Sequence, residues 1–311
     1  MKDTVHIQAP AKLNLFLHIN SRRSDGYHHI QTLFQPIRWY DHIKITRRSD
    51  AEIKIHMHTA IVRTAAFDLS ALPVKDNLIY KAGRLLQKYA NTHLGADIYV
   101  DKNIPAGAGL GGGSSDAAAT LLALNQLWQL DLSRSHLAVL AEQLGADVPV
   151  MLHQTSALAE GKGEKVFPVL LPELWFLVLM PHCHCDTRTV FQQQQLTRSS
   201  QIMTISDLKE HVEADISVLS GLRNDCQDTV RMIYPEVDQL LHQAESLVVD
   251  AFSKPKITGT GSAVFMMFSH MQQARKAGRY FREKHAAHNL LDIKVVASHT
   301  STPYEWDVAK R

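Results

Sequence analysis

The sequence predicts a protein of mixed α and β structure with two domains. Its 311 residues are enough for one large or two ordinary domains, each with its own hydrophobic core. Strand-like runs fill most of residues 5–58, and a strand, a glycine-rich loop and a helix follow one another over residues 97–130. Further strands and helices follow Lys165, where we place the boundary between a domain of residues 1–165 and a domain of residues 166–311.

Composition and charge exclude several classes of protein. Apolar residues make up 45% of the chain and charged residues 21%, which is typical of a soluble globular protein. The formal net charge of +2 is too small to indicate a nucleic-acid partner by itself. No apolar run approaches the roughly 20 residues of a membrane helix, and the first residues lack a signal-peptide core. Three cysteines argue against a disulfide framework, so we expect a cytoplasmic protein.

Two polar residues stand out in residues 5–19, which the sequence predicts as two strands separated by a break at Pro10. Lys12 and Asn14 are two residues apart, so they share one face of a strand, while leucines occupy the other face. The structural alternative is an edge strand whose polar side meets water. A lysine close to a phosphate would instead act as an electrostatic clamp.

Turns and regular elements alternate between this segment and residue 101. Residues 24–29 have the composition of a turn, with Asp25 and Gly26 at its centre. The remaining pattern predicts a helix over residues 77–90 and strands over residues 30–37, 41–46, 51–58 and 97–101.

The residues from Pro105 to Ser115 form the most informative segment of the chain. Glycine permits positive φ and close approach of the backbone to a ligand, and five glycines lie here. Free N–H groups at a helix start favour phosphate, and the sequence predicts a helix over residues 117–130 directly afterwards. Ser114, Ser115 and Asp116 are available as caps for that helix. The alternative, a flexible linker, would not normally run straight into a strong helix.

Two common phosphate-binding loops differ from this segment. A Walker loop requires a lysine before its serine or threonine, and no such lysine is present. The Gly-x-Gly-x-x-Gly spacing of a dinucleotide loop occurs from Gly107 to Gly112, but three consecutive glycines and a double serine are not part of that pattern. The segment therefore predicts another kind of phosphate cradle.

A carboxylate follows the next predicted helix, which spans residues 133–144 and is capped by Ser133. Gly145 ends that helix, and Pro149 is well placed in the first turn of a short helix that follows. Asp147 would then lie at the entrance of the short helix. It is either a reactive carboxylate or an N-cap and nothing more.

The second half of the chain shows no internal repeat. Its polar residues 192–200 are predicted as a solvated loop. The closing strand could return to the first domain. The predicted elements are a turn within residues 157–166, a buried strand over 174–180, helices over 206–212, 226–233, 237–247 and 272–287, strands around a glycine turn over 256–265, and a strand over 291–298.

Four separate segments together resemble the GHMP kinases, which are named for galactokinase, homoserine kinase, mevalonate kinase and phosphomevalonate kinase. The Asp-Gly-Tyr-His segment singles out one subfamily, whose substrate is a cytidine diphosphate derivative of methylerythritol in the non-mevalonate isoprenoid pathway. The resemblance covers nearly the whole chain. Its segments are Pro10-Ala-Lys12-Leu-Asn14, Asp25-Gly-Tyr-His28, the loop from Pro105 to Ser115, and Gly145-Ala-Asp147-Val-Pro149.

The resemblance implies an α+β, two-domain GHMP kinase fold, with an ATP-binding domain like ribosomal protein S5 domain 2 and a ferredoxin-like C-terminal domain. It implies an ATP-dependent small-molecule kinase that phosphorylates the C2 hydroxyl of the methylerythritol unit, with Mg²⁺ accompanying ATP. No protein ligand of Mg²⁺ follows from it, although Ser115 is a candidate. We expect no nucleic-acid or membrane partner, and a monomer or a weak homodimer.

The resemblance also implies the roles of individual residues. Lys12 and Asp147 would be catalytic, with Asp147 accepting the hydroxyl proton. Four residues would hold the substrate, namely Asn14, Tyr27, His28 and Phe191. The loop that binds ATP would consist of Pro105, Ala106, Gly107, Ala108, Gly109, Leu110, Gly111, Gly112, Gly113, Ser114 and Ser115.

The segment from His182 to Cys185 is not expected from the family. It lies inside the Pro-x₅-Thr-x₃-Phe pattern that assigns Phe191 to the substrate. Its two histidines and two cysteines suggest a metal, but alternate residues on a strand face opposite ways, and a structural zinc requires four convergent ligands. We therefore expect no functional metal here.

Three other functions fit parts of the sequence. Another GHMP kinase, of the mevalonate or homoserine type, would share the glycine-rich loop but should lack the Asp-Gly-Tyr-His segment. A non-catalytic binding protein on the same fold should have lost Lys12 or Asp147. An RNA-binding module on an S5-like fold would need clustered basic residues, whereas this chain has only pairs such as Arg22-Arg23.

Overall fold

The first part of the chain builds a six-stranded sheet. The structure, a computed structural model, describes residues 3–59, 73–246, 251–285 and 291–299. The strands are β1 (Thr4–Arg22), β2 (His28–Arg48), β3 (Ile53–Thr59), β4 (Gly95–Lys102), β5 (Ala157–Gly161) and β6 (Lys165–Pro168). Their order in the sheet is β3-β4-β2-β5-β6, and β1 pairs with β2. The predicted domain boundary at Lys165 falls at the start of β6.

Four helices cover one face of this sheet. Apolar residues of α1 and α2 pack with those of β2 and β4 in one buried cluster, which also includes residues of α3 and α4. The predicted cap at Ser133 is confirmed, because its side chain accepts a hydrogen bond from His136 N. Asn77, which was not predicted as a cap, accepts in the same way from Ile79 N. The helices are α1 (Leu78–Ala90), α2 (Gly112–Leu127), α3 (Arg134–Glu142) and α4 (Val148–Met151).

The first two strands are longer and more continuous than the sequence predicts. β1 runs through Pro10, and the pairing with β2 changes register between Pro10 and Ala11 instead of breaking. β2 joins the two strands predicted over residues 30–37 and 41–46. The irregular pairing leaves Arg38 and Trp39 as extra residues, so proline is accommodated by a bulge rather than by a chain break.

Helix α2 begins earlier than predicted. It starts at Gly112, inside the glycine run, with Gly111 as its N-cap and no side-chain cap. The prediction that Ser114, Ser115 and Asp116 cap this helix is therefore wrong. These residues occupy its first turns, because the left-handed conformation of Gly111 reverses the chain without help from a side chain.

The second sheet has the order β10-β7-β9-β8 and is antiparallel throughout. In chain order, a strand, helices, two strands, a helix and a last strand follow one another, which is the ferredoxin-like arrangement. The closing strand pairs with β7, and just after it Ser298 bridges to Ile37 of β2 while His299 N donates to Pro36 O at 2.8 Å. The strands are β7 (Trp175–Pro181), β8 (Lys256–Ile257), β9 (Val264–Phe268) and β10 (Leu291–Ala297).

In the described part of the second half, six α-helices accompany the sheet. α5 and the short α7 were not predicted, whereas the other four match predicted helices within a few residues. Of the predicted helix over 237–247, residue 247 lies outside the described residues, as do residues 286–287 of the helix predicted over 272–287. The helices are α5 (Thr187–Gln192), α6 (Ile205–Ala214), α7 (Val218–Gly221), α8 (Gln227–Ile233), α9 (Pro235–Glu245) and α10 (Met271–His285).

The two sheets share a buried cluster. Leu13 and Phe16 of β1 pack in it together with Phe176 of β7 and Phe265 of β9. A further backbone bridge joins Leu17 to Asn224. β1 therefore carries its polar residues into the region where the two halves meet. In the described ranges, no helix is long and apolar enough to cross a membrane.

Candidate active site

The glycine-rich loop has a backbone that other residues could not adopt easily. Gly107, Gly109 and Gly111 have φ of 72°, 76° and 71°. A Cβ on Gly109 would lie 2.2 Å from the carbonyl oxygen of Thr258, and one on Gly111 would lie 2.6 Å from Met151 Cε. Each glycine is therefore required both by conformation and by the close approach of a neighbour.

A cleft of about 310 Å³ lies along this loop. Its walls combine the loop from Pro105 to Ser114 with the start of α1 and the end of β4. The start of α2 opens onto it, so free backbone N–H groups and the positive end of the helix dipole meet in the cleft. Such a helix start favours a phosphate group.

Lys12 reaches the loop from the opposite side. Its side chain is buried, and its Nζ donates hydrogen bonds to Gly109 O at 2.8 Å and to Asn14 Oδ1 at 2.6 Å. Gly109 also lines the cleft, so Lys12 is hydrogen-bonded directly to a residue of the cleft wall. The alternative of an edge strand with a polar face in water is wrong, because Lys12 and Asn14 are buried.

Asp147 faces Lys12 from the start of α4. The distance from Lys12 Nζ to Asp147 Oδ2 is 3.5 Å, and the Asp147 side chain is 37% exposed. Its carboxylate makes no cap hydrogen bond to the helix, so the N-cap alternative does not account for it. Burial lowers the pKa of Lys12, and the attraction of Asp147 opposes this shift without cancelling it.

Thr258 joins three segments at this point. Its hydroxyl accepts a hydrogen bond from Asn14 N and lies 3.2 Å from Gly109 O. Asn14 Nδ2 in turn donates to Thr32 Oγ1 on β2. The first strand, the glycine-rich loop and the glycine turn after β8 are thus held together around Lys12. Thr258 was not predicted as a site residue, although the glycine motif that contains it was noted.

A buried charge triad lies beneath the loop. Lys102, at the end of β4, donates to Asp41 Oδ2 and, at 2.6 Å, to Asp116 Oδ2. Burial raises the pKa of Asp116 to about 7, against the opposing effect of Lys102. Burial alone would lower the pKa of Lys102, but the two carboxylates outweigh it and the pKa is raised. Sequence reasoning missed this triad, since its members are far apart in the chain.

Two buried oxygen atoms beside the loop have no hydrogen-bond partner within the described part of the chain. They are Ser115 Oγ and Asp116 Oδ1, both in the first turns of α2. Hydroxyl and carboxylate oxygens are ligands that Mg²⁺ accepts in nucleotide sites. Among the described residues, no group of three or more His, Cys, Asp or Glu side chains is placed to hold a metal ion.

The turn from Asp25 to His28 connects β1 and β2, as predicted. Gly26 has a φ of 87°, and Tyr27 N donates to Asp25 Oδ1 at 3.1 Å. The Tyr27 side chain is 60% exposed, so it does not pack the turn, and Lys162 Nζ lies 5.3 Å from the centre of its ring. His28 next to it is buried.

Phe191 lies close to His28, although the two residues come from different halves of the chain. Their ring centres are 5.0 Å apart, with planes inclined by 36°. Residues 192–200 were predicted as a solvated loop, and that prediction is wrong for part of it. Leu196 is buried there, and Arg198 Nε donates to His28 Nε2 at 3.1 Å. A composition rich in glutamine concealed these contacts.

The segment from His182 to Cys185 borders the glycine-rich loop. His184 Nδ1 donates to Gly107 O at 3.2 Å, and Ser262 Oγ donates to Cys183 O at 2.7 Å. All three cysteines of the chain are free thiols. The segment therefore supports the loop from the side of the second sheet.

Comparisons with known proteins identify the family of the chain. Residues 77–155 match the family model of the GHMP kinases N terminal domain. The 4-diphosphocytidyl-2-C-methyl-D-erythritol kinase of Shewanella loihica is 43% identical over 266 residues, covering 86% of each chain. A solved 4-(cytidine 5'-diphospho)-2C-methyl-D-erythritol kinase superimposes with a TM-score of 0.73 at 28% identity, over 95% of this chain and 100% of the other.

The fold is shared more widely than the sequence. A homoserine kinase from Cytophaga hutchinsonii superimposes with a TM-score of 0.71 at 18% identity, over 96% of each chain, which shows the fold alone. The fold and the glycine-rich loop thus define an ATP-dependent small-molecule kinase of the GHMP type. Within that class, the chain belongs to the 4-diphosphocytidyl-2-C-methyl-D-erythritol kinase family.

Proposed function

We propose that this protein transfers the γ-phosphoryl group of ATP to the C2 hydroxyl of 4-diphosphocytidyl-2-C-methyl-D-erythritol, in the non-mevalonate isoprenoid pathway. The observation that carries the proposal is the meeting of Lys12 and Asp147 at the end of the glycine-rich cleft. Phosphoryl transfer depends mainly on positioning and on stabilisation of charge, and this arrangement offers both. The family membership of the chain supports the choice of acceptor.

ATP occupies the cleft along the loop in this proposal. The N–H groups at the start of α2 bind its phosphates, and the positive φ of three loop glycines lets the backbone follow them closely. Because Gly109 and Gly111 touch both the cleft and Lys12, the γ-phosphoryl group is directed toward Lys12.

Asp147 accepts the proton of the acceptor hydroxyl. Its carboxylate is partly exposed and makes no helix-cap hydrogen bond, so it is available to a substrate. Lys12 keeps its ammonium group 3.5 Å from that carboxylate and stabilises the charge on the attacking oxygen and the transferring group. A general base in this position typically contributes about 10²–10⁴-fold to the rate.

Ser115 and Asp116 are the residues that would hold Mg²⁺. Their unpaired oxygen atoms lie in the first turns of α2, next to the loop that binds the phosphates. The ion would neutralise phosphate charge during transfer.

The acceptor substrate lies on the other side of Lys12. Tyr27 offers an exposed ring as a platform for the cytosine base, Phe191 contributes a second aromatic surface, and the ring of His28 lies against that of Phe191. Asn14, held beside Lys12, orients the methylerythritol unit.

We also propose a division of the chain into an ATP-binding domain of residues 1–165 and a second domain of residues 166–311. The separate sheets support this division, although β6 extends the first sheet to Pro168. A cytoplasmic location is supported by the three free thiols.

A coupled assay of ATP consumption tests the function. The purified protein is given the cytidine substrate, mevalonate, homoserine or galactose at equal concentration, with Mg²⁺. We expect turnover with the cytidine substrate alone. Preferred turnover of mevalonate or homoserine would assign the protein another GHMP kinase activity. If none of the four compounds supports ATP consumption, the proposal is overturned.

A further inference from the structure

Arg198 uses every N–H of its guanidinium group in one small region. Its Nε donates to His28 Nε2 at 3.1 Å, and the remaining donors go to backbone carbonyl oxygens at the end of α5 and in the loop that follows it. Nη1 contacts Leu196 O at 3.1 Å and Gln194 O at 3.4 Å, and Nη2 contacts Gln193 O at 2.7 Å and Phe191 O at 2.9 Å. Five donors therefore meet five acceptors.

This arrangement settles the protonation pattern of His28. A guanidinium group has donors and no acceptor, so the His28 nitrogen that it contacts must accept. Burial lowers the pKa of His28, and the positive charges of Arg198 and Arg22 lower it further. A neutral imidazole whose Nε2 accepts carries its single proton on Nδ1. Within the described residues, no hydrogen bond engages His28 Nδ1, so this N–H remains available.

A donor at this point distinguishes the two common pyrimidines. The edge of cytosine presents N3 as an acceptor, whereas uracil carries a proton on N3 and presents a donor. An Nδ1–H group can therefore bind cytosine N3 but opposes uracil N3–H. The opposite tautomer, with an unprotonated Nδ1, would favour uracil instead.

We propose that Arg198 is a positioning residue that gives this enzyme its preference for cytidine over uridine, by holding His28 in the tautomer with the proton on Nδ1. The inference rests on the proposed function, because His28 is taken to face the base. Arg198 also ties Phe191 to His28 through the carbonyl of Phe191, so the aromatic surface and the hydrogen-bonding edge keep one relative position.

A purely structural role predicts something different. If Arg198 only fastens the loop, its loss would loosen Phe191 and weaken cytidine and uridine ligands alike. If Arg198 sets the tautomer, its loss frees His28 to exchange tautomers. The ratio of kcat/KM between the cytidine and uridine ligands must then change. The ratio is thus the measurement that separates the two roles.

The kinetic test uses Arg198→Met, Arg198→Lys and Arg188→Met. Arg188 is an exposed arginine of α5 and provides the matched control. Each variant is assayed with the cytidine substrate and with its uridine counterpart. We expect Arg198→Met to reduce the ratio of kcat/KM between cytidine and uridine by about tenfold or more, because the fixed donor is lost. The KM for ATP should stay unchanged, and Arg188→Met should keep the wild-type ratio.

Arg198→Lys separates the hydrogen bond to His28 from the hydrogen bonds to the backbone carbonyls. An ammonium group can still donate to His28 Nε2, but it cannot reach the four carbonyl oxygens in the same geometry. We expect this variant to keep more of the preference for cytidine than Arg198→Met, while its KM for both ligands rises. An unchanged ratio in Arg198→Met, with both KM values raised equally, would overturn the inference and leave a structural role.

Nitrogen NMR of ring-labelled histidine tests the tautomer without any turnover. The His28 signals are assigned by their disappearance in His28→Gln, and the wild-type protein should show a protonated Nδ1 and an unprotonated Nε2. Arg198→Met should show averaged signals. A protonated Nε2 in the wild-type protein would refute the inference even if the kinase activity is confirmed, whereas absence of activity toward cytidine with the expected tautomer would refute only the function.

Discussion

The ATP side and the acceptor side of the site are built in different ways. The ATP side is one continuous segment, from Pro105 into α2, whose backbone N–H groups meet the cleft. The acceptor side is assembled from side chains on separate elements, with Tyr27 and His28 from the turn into β2 and Phe191 and Arg198 from α5 and the loop after it. Backbone recognition suits the phosphates common to all such kinases, whereas side-chain recognition can be changed to suit one substrate.

The two sides are nevertheless held to each other. Thr258 contacts both Asn14 and Gly109. Two residues further on, Thr260 Oγ1 lies 2.9 Å from Thr187 Oγ1 at the start of α5. The glycine turn after β8 thus connects the phosphate loop to the helix that carries Phe191. A change on one side can remain local only if this turn keeps its position.

Asp147→Asn removes the group at which the two sides meet, and it should have the largest effect. We expect kcat to fall by about 10²–10⁴-fold, because the acceptor hydroxyl loses its base. The KM for both substrates should change little, since Asp147 belongs to neither binding surface. Stopped assays with purified protein measure kcat, and thermal unfolding checks the fold. A folded variant with wild-type turnover would show that Asp147 is not the base.

Gly111→Val should damage ATP binding, and it should also disturb Lys12. A branched residue at a φ of 71° is strained, and its Cβ would meet Met151 Cε at 2.6 Å and Lys12 Cγ at 2.9 Å. Strain of this kind costs about 1–3 kcal/mol, so ATP affinity should fall about 5- to 150-fold.

Gly221→Ala is the control for that variant. Gly221 lies in α7 and does not line the cleft, and a Cβ there would have no neighbouring side chain within 4 Å. Calorimetric titration with ATP should give near wild-type affinity for Gly221→Ala and a large loss for Gly111→Val. Equal affinities for the two variants would remove the argument for a backbone cradle.

The contrast between the two sides also explains what the sequence could predict. The glycine-rich loop is contiguous, so residue type and spacing identified it directly, and Lys12 and Asn14 share a face because they are two residues apart. Helix α2 was placed too late, because a glycine run with low helix propensity is held helical by its surroundings.

Contacts between distant segments could not be predicted in the same way. Asp41 pairs with Lys102 across two strands, and Arg198 reaches His28 from 170 residues away. No local periodicity encodes such pairs, since they depend on how the two sheets are folded and packed. The resemblance to a known family supplied Phe191 and His28, but it did not supply the arginine that joins them.

Tyr27→Ala should damage the acceptor side alone. Stacking of a base on an aromatic ring contributes about 1–3 kcal/mol, so the KM for the cytidine substrate should rise about 5- to 150-fold. The KM for ATP should hardly change. Tyr89→Ala, which removes another exposed tyrosine on α1, is the control and should leave both values unchanged. Equal weakening of both substrates by Tyr27→Ala would mean that the two sides are not separable.

The last and smallest effect concerns the buried triad under the ATP side. Burial raises the pKa of Asp116 to about 7, well above the ordinary value of an aspartate. The folded protein therefore keeps a proton on this carboxyl at pH values where the unfolded chain has released it. Stability from this group is fully present below about pH 4 and is lost as the pH rises through about 7.

Asp116→Asn should remove that dependence. Without Mg²⁺ or ATP, the free energy of unfolding of the wild-type protein should fall between pH 5 and pH 7, with this group contributing up to about 1.4 kcal/mol per pH unit. In the variant the free energy of unfolding should change less steeply with pH, because an amide does not titrate and can still accept a hydrogen bond from Lys102. Asp101→Asn is the control, because it removes the exposed carboxylate of the residue that precedes Lys102 in the chain. Its free energy of unfolding should depend on pH as that of the wild type does. Urea titrations at three pH values measure the free energy of unfolding of each protein. If it depends on pH equally in Asp116→Asn and in the wild type, the triad stays fully ionised beneath the loop and the prediction fails.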